Sequence, residues 1–571
     1  MPDVRHPRLP RLHLPHDRLI TPLSPQMSPP MNRLPLTLAL LGLAPAALAQ
    51  QHDGHTPTHA NGPPARPGRE APAAGAPAER AIPLDTTRWT RADVEAFLGT
   101  SGLGTSGPEP GQAVHRHDGE APAAEPPAGD HGHGAEHGDG VAAPEGHGMT
   151  GREGRPAGMV SSTSPDEPMS RDASGTAWLP ETTPMEAAHY APAGWSLMLH
   201  GAAFLRYTAQ DVFEDGTRGA RGFGAPSWVM GMAQRAVGRA GVFTARAMLS
   251  LDPLIEGGDG YPLLFQSGET FEGERLVDRQ HPHDLFSELA VAYARRVGPS
   301  TSVFGYVGFP GEPVVGPVAF MHRPSARYNP DSPLGHHWHD ATHIAFGVAT
   351  LGMASGPVKV DASLFTGAEP DEERYGFDRP TFDSYAARLS YSPSPRVTLH
   401  ASRAFLREPE ALEPGVDQWR TTASALYAAP FGADGDLSAS LVWGANDLRP
   451  DDEAEHPAGV QHAVLAEAAL RLGAQAVHGR AEYAQKSAEE LALDGEAFHD
   501  GVFGVASLTL GAGRDVFAFA GLTAMLGGQG TLYAVPEVLR PVYGRAPVSL
   551  QVYLRLSPSR MAHGLAGHAG H

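Results

Sequence analysis

From Trp195 to about residue 558 the chain alternates apolar and polar side chains with a period of two, the signature of half-buried β-strands. In "VSLQVYLRL" Val548, Leu550, Val552, Leu554 and Leu556 fall on one face, and Ser549, Gln551, Tyr553 and Arg555 on the other. "AVHGRAEYAQK" sets His478, Arg480, Glu482 and Lys486 against Val477, Ala481 and Tyr483. "SYAARLSY" places Tyr385, Ala387, Leu389 and Tyr391 opposite Ser384, Arg388 and Ser390.

Sixteen such segments are predicted, starting near residues 195, 226, 241, 284, 301, 341, 357, 382, 395, 417, 435, 460, 475, 498, 514 and 546. Their connections alternate long and short. Short ones are "VGRAG", "VGPS", "ASG", "SPSP", "FGADG", "LGAQ" and "GAGR"; long ones include 253–283 and 313–340. Transmembrane barrels combine tight turns at one end, longer loops at the other and an even strand count. Closure also pairs every backbone group, which an open edge in lipid would not. The expected fold is therefore all-β: a transmembrane antiparallel up-and-down barrel of about sixteen strands over residues 191–558. A soluble sandwich or barrel would alternate too. Charges in mid-strand (Glu288, Arg388, Glu467, Arg480, Glu482 and Arg555) point instead to a polar, water-filled lumen. Aromatics near strand ends (Tyr293, Tyr391, Trp419, Tyr427, Trp443 and Tyr483) suit an interfacial girdle.

The remaining segments read differently. Residues 1–30 look like an upstream extension, and "MNRLPLTLALLGLAPAALAQ" has the basic start, short apolar run and Ala-Leu-Ala site of a signal peptide over 31–49. Residues 50–190 are rich in His, Gly, Pro and Ala, and are expected to be disordered apart from a short helix near 90–99. Residues 559–571 form a histidine-containing tail. A formal charge of −21 argues against nucleic acid as a partner, and the absence of cysteine removes disulfides and thiolate metal sites.

Two neighbouring long loops carry the candidate chemistry. The first ends "DRQHPHD", with His281 and His283; the second holds Glu312, His322, Arg323 and "GHHWHDATH", with His336, His337, His339, Asp340 and His343. Neutral imidazoles suit zinc or copper, so the seven histidines form a candidate metal site. Glu312, Arg323 and Asp340 form a candidate hydrogen-bonded loop network, and the same histidines could instead belong to that network as braces. "HDATH" also permits a zincin-like reading, with His339 and His343 as ligands and Asp340 as base. The apolar alternation that follows argues for a strand rather than that helix.

"RQHPHD…ELAV", "GEP…GP…FMHRPSA…NP…PLGHHW" and "DSYAARLSY", within residues 279–391, resemble a poorly characterised family of Gram-negative outer-membrane, porin-like β-barrel proteins. Its members are often associated with metal-resistance loci. The resemblance implies the cell outer membrane as location, its lipid and the barrel-assembly machinery as partners, and small solutes or metal ions as cargo; a homo-oligomer is left open. The expected function is a porin-like, non-enzymatic channel that binds or passes divalent copper or zinc. A metal-binding outer-membrane protein that transports nothing, and a membrane-embedded metal-dependent hydrolase, are the alternatives.

Overall fold

A computed structural model describes residues 159–560, except 453, 455–457 and 500. The expected signal peptide, the helix near 90–99 and the C-terminal tail lie outside the described residues.

Sixteen strands form the barrel wall. They are β1 (Ser196–Ala209), β2 (Ser227–Val237), β3 (Gly241–Leu249), β4 (Phe286–Arg296), β5 (Thr301–Gly308) and β6 (Val348–Ser355). Next come β7 (Val358–Phe365), β8 (Ser384–Ser394), β9 (Val397–Leu406), β10 (Val416–Phe431) and β11 (Gly435–Pro450). The last are β12 (Gly459–Leu472), β13 (Gln475–Ser487), β14 (Val502–Phe519), β15 (Leu522–Ala534) and β16 (Val548–Pro558). Each pairs antiparallel with the next, and β16 returns to β1 with Ala203 opposite Leu556 and Ala209 opposite Leu550. The sheet is a closed, up-and-down barrel.

The alternation works as the sequence implies. Along β8 every second residue is buried, and Tyr385, Leu389 and Tyr391 face outward. Leu351, on β6, is 75% exposed. A continuous outward belt of Leu, Val and aromatic side chains would be penalised in water and is the surface a barrel turns to lipid. Tyr293, Tyr391 and Tyr427 lie toward the short-turn end. Trp443 shares a row with Val464 and Tyr483 nearer the other end, where Tyr385, Phe405 and Trp419 also stack. No helix among the described residues is long and apolar enough to cross a membrane.

Two strand starts differ from expectation. β6 begins at Val348, not near 341, because the preceding residues fold into a short helix. "GAGR" is not a turn: β14 runs through it to Phe519, and the chain reverses at Ala520-Gly521, both with positive φ. Gly511 sits in mid-strand because a Cβ there would meet the His478 ring at 2.3 Å. A glycine inside a strand marked close side-chain approach rather than reversal.

The larger difference is inside. Residues 159–190, expected to be disordered, fold back into the lumen. Trp178 is fully buried, with its Nε1 donating to Thr163 Oγ1 at 2.9 Å. Lumen side chains grip this segment: Arg246 donates to Gly175 O at 2.5 Å, Arg388 to Thr176 Oγ1 at 2.9 Å, and His400 Nε2 meets Trp178 O at 2.8 Å. Residues 309–347 fold inward as well, and nearly all of them are buried. The mid-strand charges do face the lumen, but into protein rather than water. Arg388 pairs with Asp361 at 3.0 Å, Glu467 with Arg323 at 2.6 Å and Arg480 at 2.9 Å, and Arg555 with Glu186 at 2.7 Å. Glu288 accepts from Tyr306 at 2.7 Å, and Glu482 from Leu334 N at 2.7 Å. A buried polar group costs about 1–3 kcal/mol if left unpaired, so a lumen lined this way selects polar, well-matched filling.

Candidate functional site

The inward loop is fixed first by charge. Arg323, with no exposed surface, donates through Nε to Glu467 on β12 and through Nη1 to Asp340 at 3.0 Å. Asp340 Oδ1 in turn meets His336 Nδ1 at 2.8 Å. Burial would raise the Asp340 carboxyl, but the Arg323 guanidinium outweighs it and holds the group well below the usual carboxylate range. The chain Arg480–Glu467–Arg323–Asp340–His336 ties loop to wall and brings Arg323 and Asp340 together. Glu312 lies elsewhere, beside Ser174 and Arg388, where burial pushes its carboxyl up to about 8.

"HHWH" forms one short helix, α1 (His336–His339), which stops at Asp340 with φ −143°. A separate turn of 3₁₀ helix follows over Ala341–His343. His339 Nε2 points at Ala463 O in the wall, 3.2 Å away, while His343 turns toward the lumen histidines. A zincin needs both histidines on one face of a continuous helix. That helix is not formed, so His339 and His343 do not make a zincin pair.

Four of the seven candidate histidines do come together. His281, His283, His343 and His336 form a perimeter with successive ring-centroid distances of 6.1, 5.3, 5.3 and 6.2 Å. Each Nδ1 faces an acceptor: Glu269 Oε1 at 2.8 Å, Asp252 Oδ2 at 2.8 Å, Asp340 O at 2.7 Å and Asp340 Oδ1 at 2.8 Å, in the same order. An acceptor at Nδ1 places the proton there and leaves the Nε2 lone pair free. All four Nε2 atoms are buried and have no hydrogen-bond partner. Burial, the leading influence, lowers the proton affinity of His281, His336 and His343, the last to about 3.

The other three separate. His337 lies 3.2 Å from Glu369 and 3.5 Å from Glu410. Among the described residues, this trio is the group whose candidate metal-ligand atoms all approach within 4.8 Å of one another, so it is tighter than the imidazole ring. Burial would lower His337, but the two glutamates outweigh it and push it up to about 10. Gly268, at φ +121°, makes room for the His337 ring, which a Cβ would meet at 2.2 Å. His322 goes to a cavity near β1 and β2, its ring 4.4 Å from Trp228. His339, as described, faces the wall.

Glu369, Glu410, Glu269, Asp252 and His200 were not identified from the sequence. None adjoins a histidine motif that would mark it among the other acidic and polar residues of its segment, and only the folding of the closed barrel brings it inward.

No protein-family model and no curated protein matches the chain. Among solved structures it is similar to OmpF of Salmonella typhi, at 8% identity and a TM-score of 0.40 over 65% of this chain and 99% of that one. It is also similar to an anion-selective porin from Comamonas acidovorans, at 12% identity and a TM-score of 0.38 over 64% and 99%. OmpT, an outer membrane protein of Vibrio cholerae, gives 9% identity and a TM-score of 0.37 over 63% and 99% in its loop L8 deletion mutant. The sixteen-strand closure of this chain stands on its own strand pairings.

Proposed function

We propose that this protein is a non-enzymatic outer-membrane barrel, a channel for small solutes whose lumen is narrowed by residues 159–190 and 309–347. Its favoured solute is a divalent transition-metal ion, copper or zinc. The location is supported by the outward apolar belt. The metal reading rests on one observation: four buried imidazoles with Nδ1 held by acceptors and Nε2 unpartnered. Metal-bound histidines are oriented in this way, the outer acceptor fixing both tautomer and ring plane. His337, Glu369 and Glu410 would supply a second, mixed imidazole–carboxylate position next to the ring, since His281 and His337 lie 6.1 Å apart.

The filled lumen favours a second reading, a metal-binding outer-membrane protein that transports nothing. Planar-bilayer conductance of the purified full chain separates the two: single-channel steps support passage, and their absence leaves binding alone. Zinc and copper(II) titrations of the full chain and of a His281→Ala/His343→Ala variant test the metal. Affinity is expected to fall in the variant, and equal affinity would leave the four histidines as loop braces.

A further inference from the structure

A cavity of about 170 Å³ lies between β1, β2 and the lumen segments, and Met169, Met185, Met198, Met232 and Met321 line it. Strand register builds the wall. Met198 and His200, two residues apart on β1, share a face; Met198 is the Cα partner of Met232, and His200 of Met230. Met230 is in turn the partner of Met248 on β3. The result is a cross-strand row, His200–Met230–Met248, beside a second, Met198–Met232. The N-terminal segment adds Met159, Met169 and Met185, and the inward loop adds Met321 and His322. Of the ten methionines among the described residues, eight pack in this one cluster, of which Met159, Met230 and Met248 do not themselves line the cavity; Met353 faces outward and Met525 packs elsewhere. The other large lumen clusters are built from Ala, Val, Leu, Phe, Tyr and Trp.

The two histidines lack ordinary partners. His200 Nε2 is buried without a hydrogen bond, and the one recorded for His322 is between Nε2 and Met248 Sδ at 3.3 Å, a weak acceptor. The cavity's carboxylates are already engaged: Asp172 by Arg246, Asp252 by His283, and Glu186 by Arg555. The lining arginines Arg323, Arg327 and Arg555 are likewise paired, with Glu467, Asp436 and Glu186, and the soft donors left over are thioether sulfurs and imidazole nitrogens, with the Trp228 ring alongside as a face for a cation. Soft thioether donors select Cu(I) over zinc, calcium or magnesium.

We infer that this cavity is a Cu(I) site, held by sulfurs of its lining methionines, Met198 and Met232 of the wall foremost, together with His200 and His322. Its proposed ligands lie outside the ring of four imidazoles, although His283 of that ring lines the same cavity. Methionine also fills gaps in cores as a flexible apolar residue, so the test must preserve volume while removing sulfur. Leucine does this with little packing cost.

The experiment loads the detergent-solubilised full chain with Cu(I) under anaerobic ascorbate, in competition with a Cu(I) chelator, and records copper K-edge absorption. Because the chain has no cysteine, a sulfur neighbour of copper is a methionine. Sulfur neighbours are expected in the wild type and are expected to be lost in Met198→Leu/Met230→Leu/Met232→Leu/Met248→Leu, with zinc binding unchanged. A wild-type spectrum showing nitrogen or oxygen neighbours only overturns the inference. So does retention of sulfur-ligated copper by the fourfold variant, which would place the copper on other methionines. If heat-modifiable migration shows that the fourfold variant fails to fold, Met198→Leu/Met232→Leu, the two wall methionines that line the cavity, is read by the same two criteria.

Discussion

At the scale of single residues, buried charge is what holds the inner loop, and two side chains make that testable. Arg323 bridges Glu467 and Asp340 with no access to solvent. Removing one member of a buried ion network leaves the others uncompensated, at about 3–5 kcal/mol. Arg323→Met is expected to lower unfolding stability by that order and to make the 309–347 loop susceptible to protease, read by limited proteolysis of the detergent-solubilised protein. Glu312 gives the pH dependence. Burial raises its folded-state pKa to about 8 from the ordinary 4.5, with Ser174 and Arg388 opposing, and Glu288 and Asp340 adding to the rise. A raised folded pKa contributes stability that is complete below the unfolded value and is lost as pH rises through the folded value. Stability from this group should therefore decline between about pH 4.5 and 8. Glu312→Gln, which stays neutral, is expected to flatten that decline and to be the more stable protein at pH 9, by about 1–3 kcal/mol. Thermal unfolding of both proteins across this range checks it, and parallel curves would place the pH dependence elsewhere.

At the scale of elements, the wall and its filling have different origins. The strands follow from local alternation and were legible in the sequence: fourteen of the sixteen expected starts lie within about four residues of those observed, and 341 and 514 do not. The filling was not legible. Residues 159–190 contain few large apolar side chains and no period, so by composition they resemble a linker. They order because Arg246, Lys359, Arg388 and His400 present donors at fixed positions in the lumen, and Trp178 anchors the centre. Trp178→Ala, which removes a fully buried indole, is expected to cost about 3–5 kcal/mol. It should release the segment before the barrel unfolds, seen as new cleavage within 159–190 and, if the protein conducts, larger single-channel steps. Unchanged protection would mean that the polar grips suffice without the indole. The site histidines show the same divide. Their presence in two adjacent loops was visible, whereas their separation into a ring of four, a mixed trio, a methionine cavity and a wall contact depends on how the loops fold across the lumen.

At the scale of the whole molecule, closure gives the barrel two unlike ends. The short turns, the start of β1 and the end of β16 share one, and the long loops the other. Glu272 and Glu373 are exposed on long loops, and Ser300 is exposed in a short turn. With no native cysteine, Glu272→Cys and Glu373→Cys are expected to label with a membrane-impermeant thiol reagent in intact cells. Ser300→Cys should label only after the outer membrane is opened. The reverse pattern would invert the orientation, and label in a soluble periplasmic fraction would remove the barrel from the membrane altogether.

The sequence by itself determined the all-β class, the strand number, the alternation of long and short connections and which side chains face outward. Each is a local property: a period of two sets the face of every strand, and turn residues set its ends. Only the tertiary structure decided that the lumen is filled, that mid-strand charges meet protein instead of water, and which histidines meet. Those outcomes depend on contacts between residues far apart in the chain, such as Arg323 with Glu467 or His337 with Glu369 and Glu410. The free energy of a buried polar contact comes from the match of both partners and the exclusion of water around them, and neither is present until the barrel has closed.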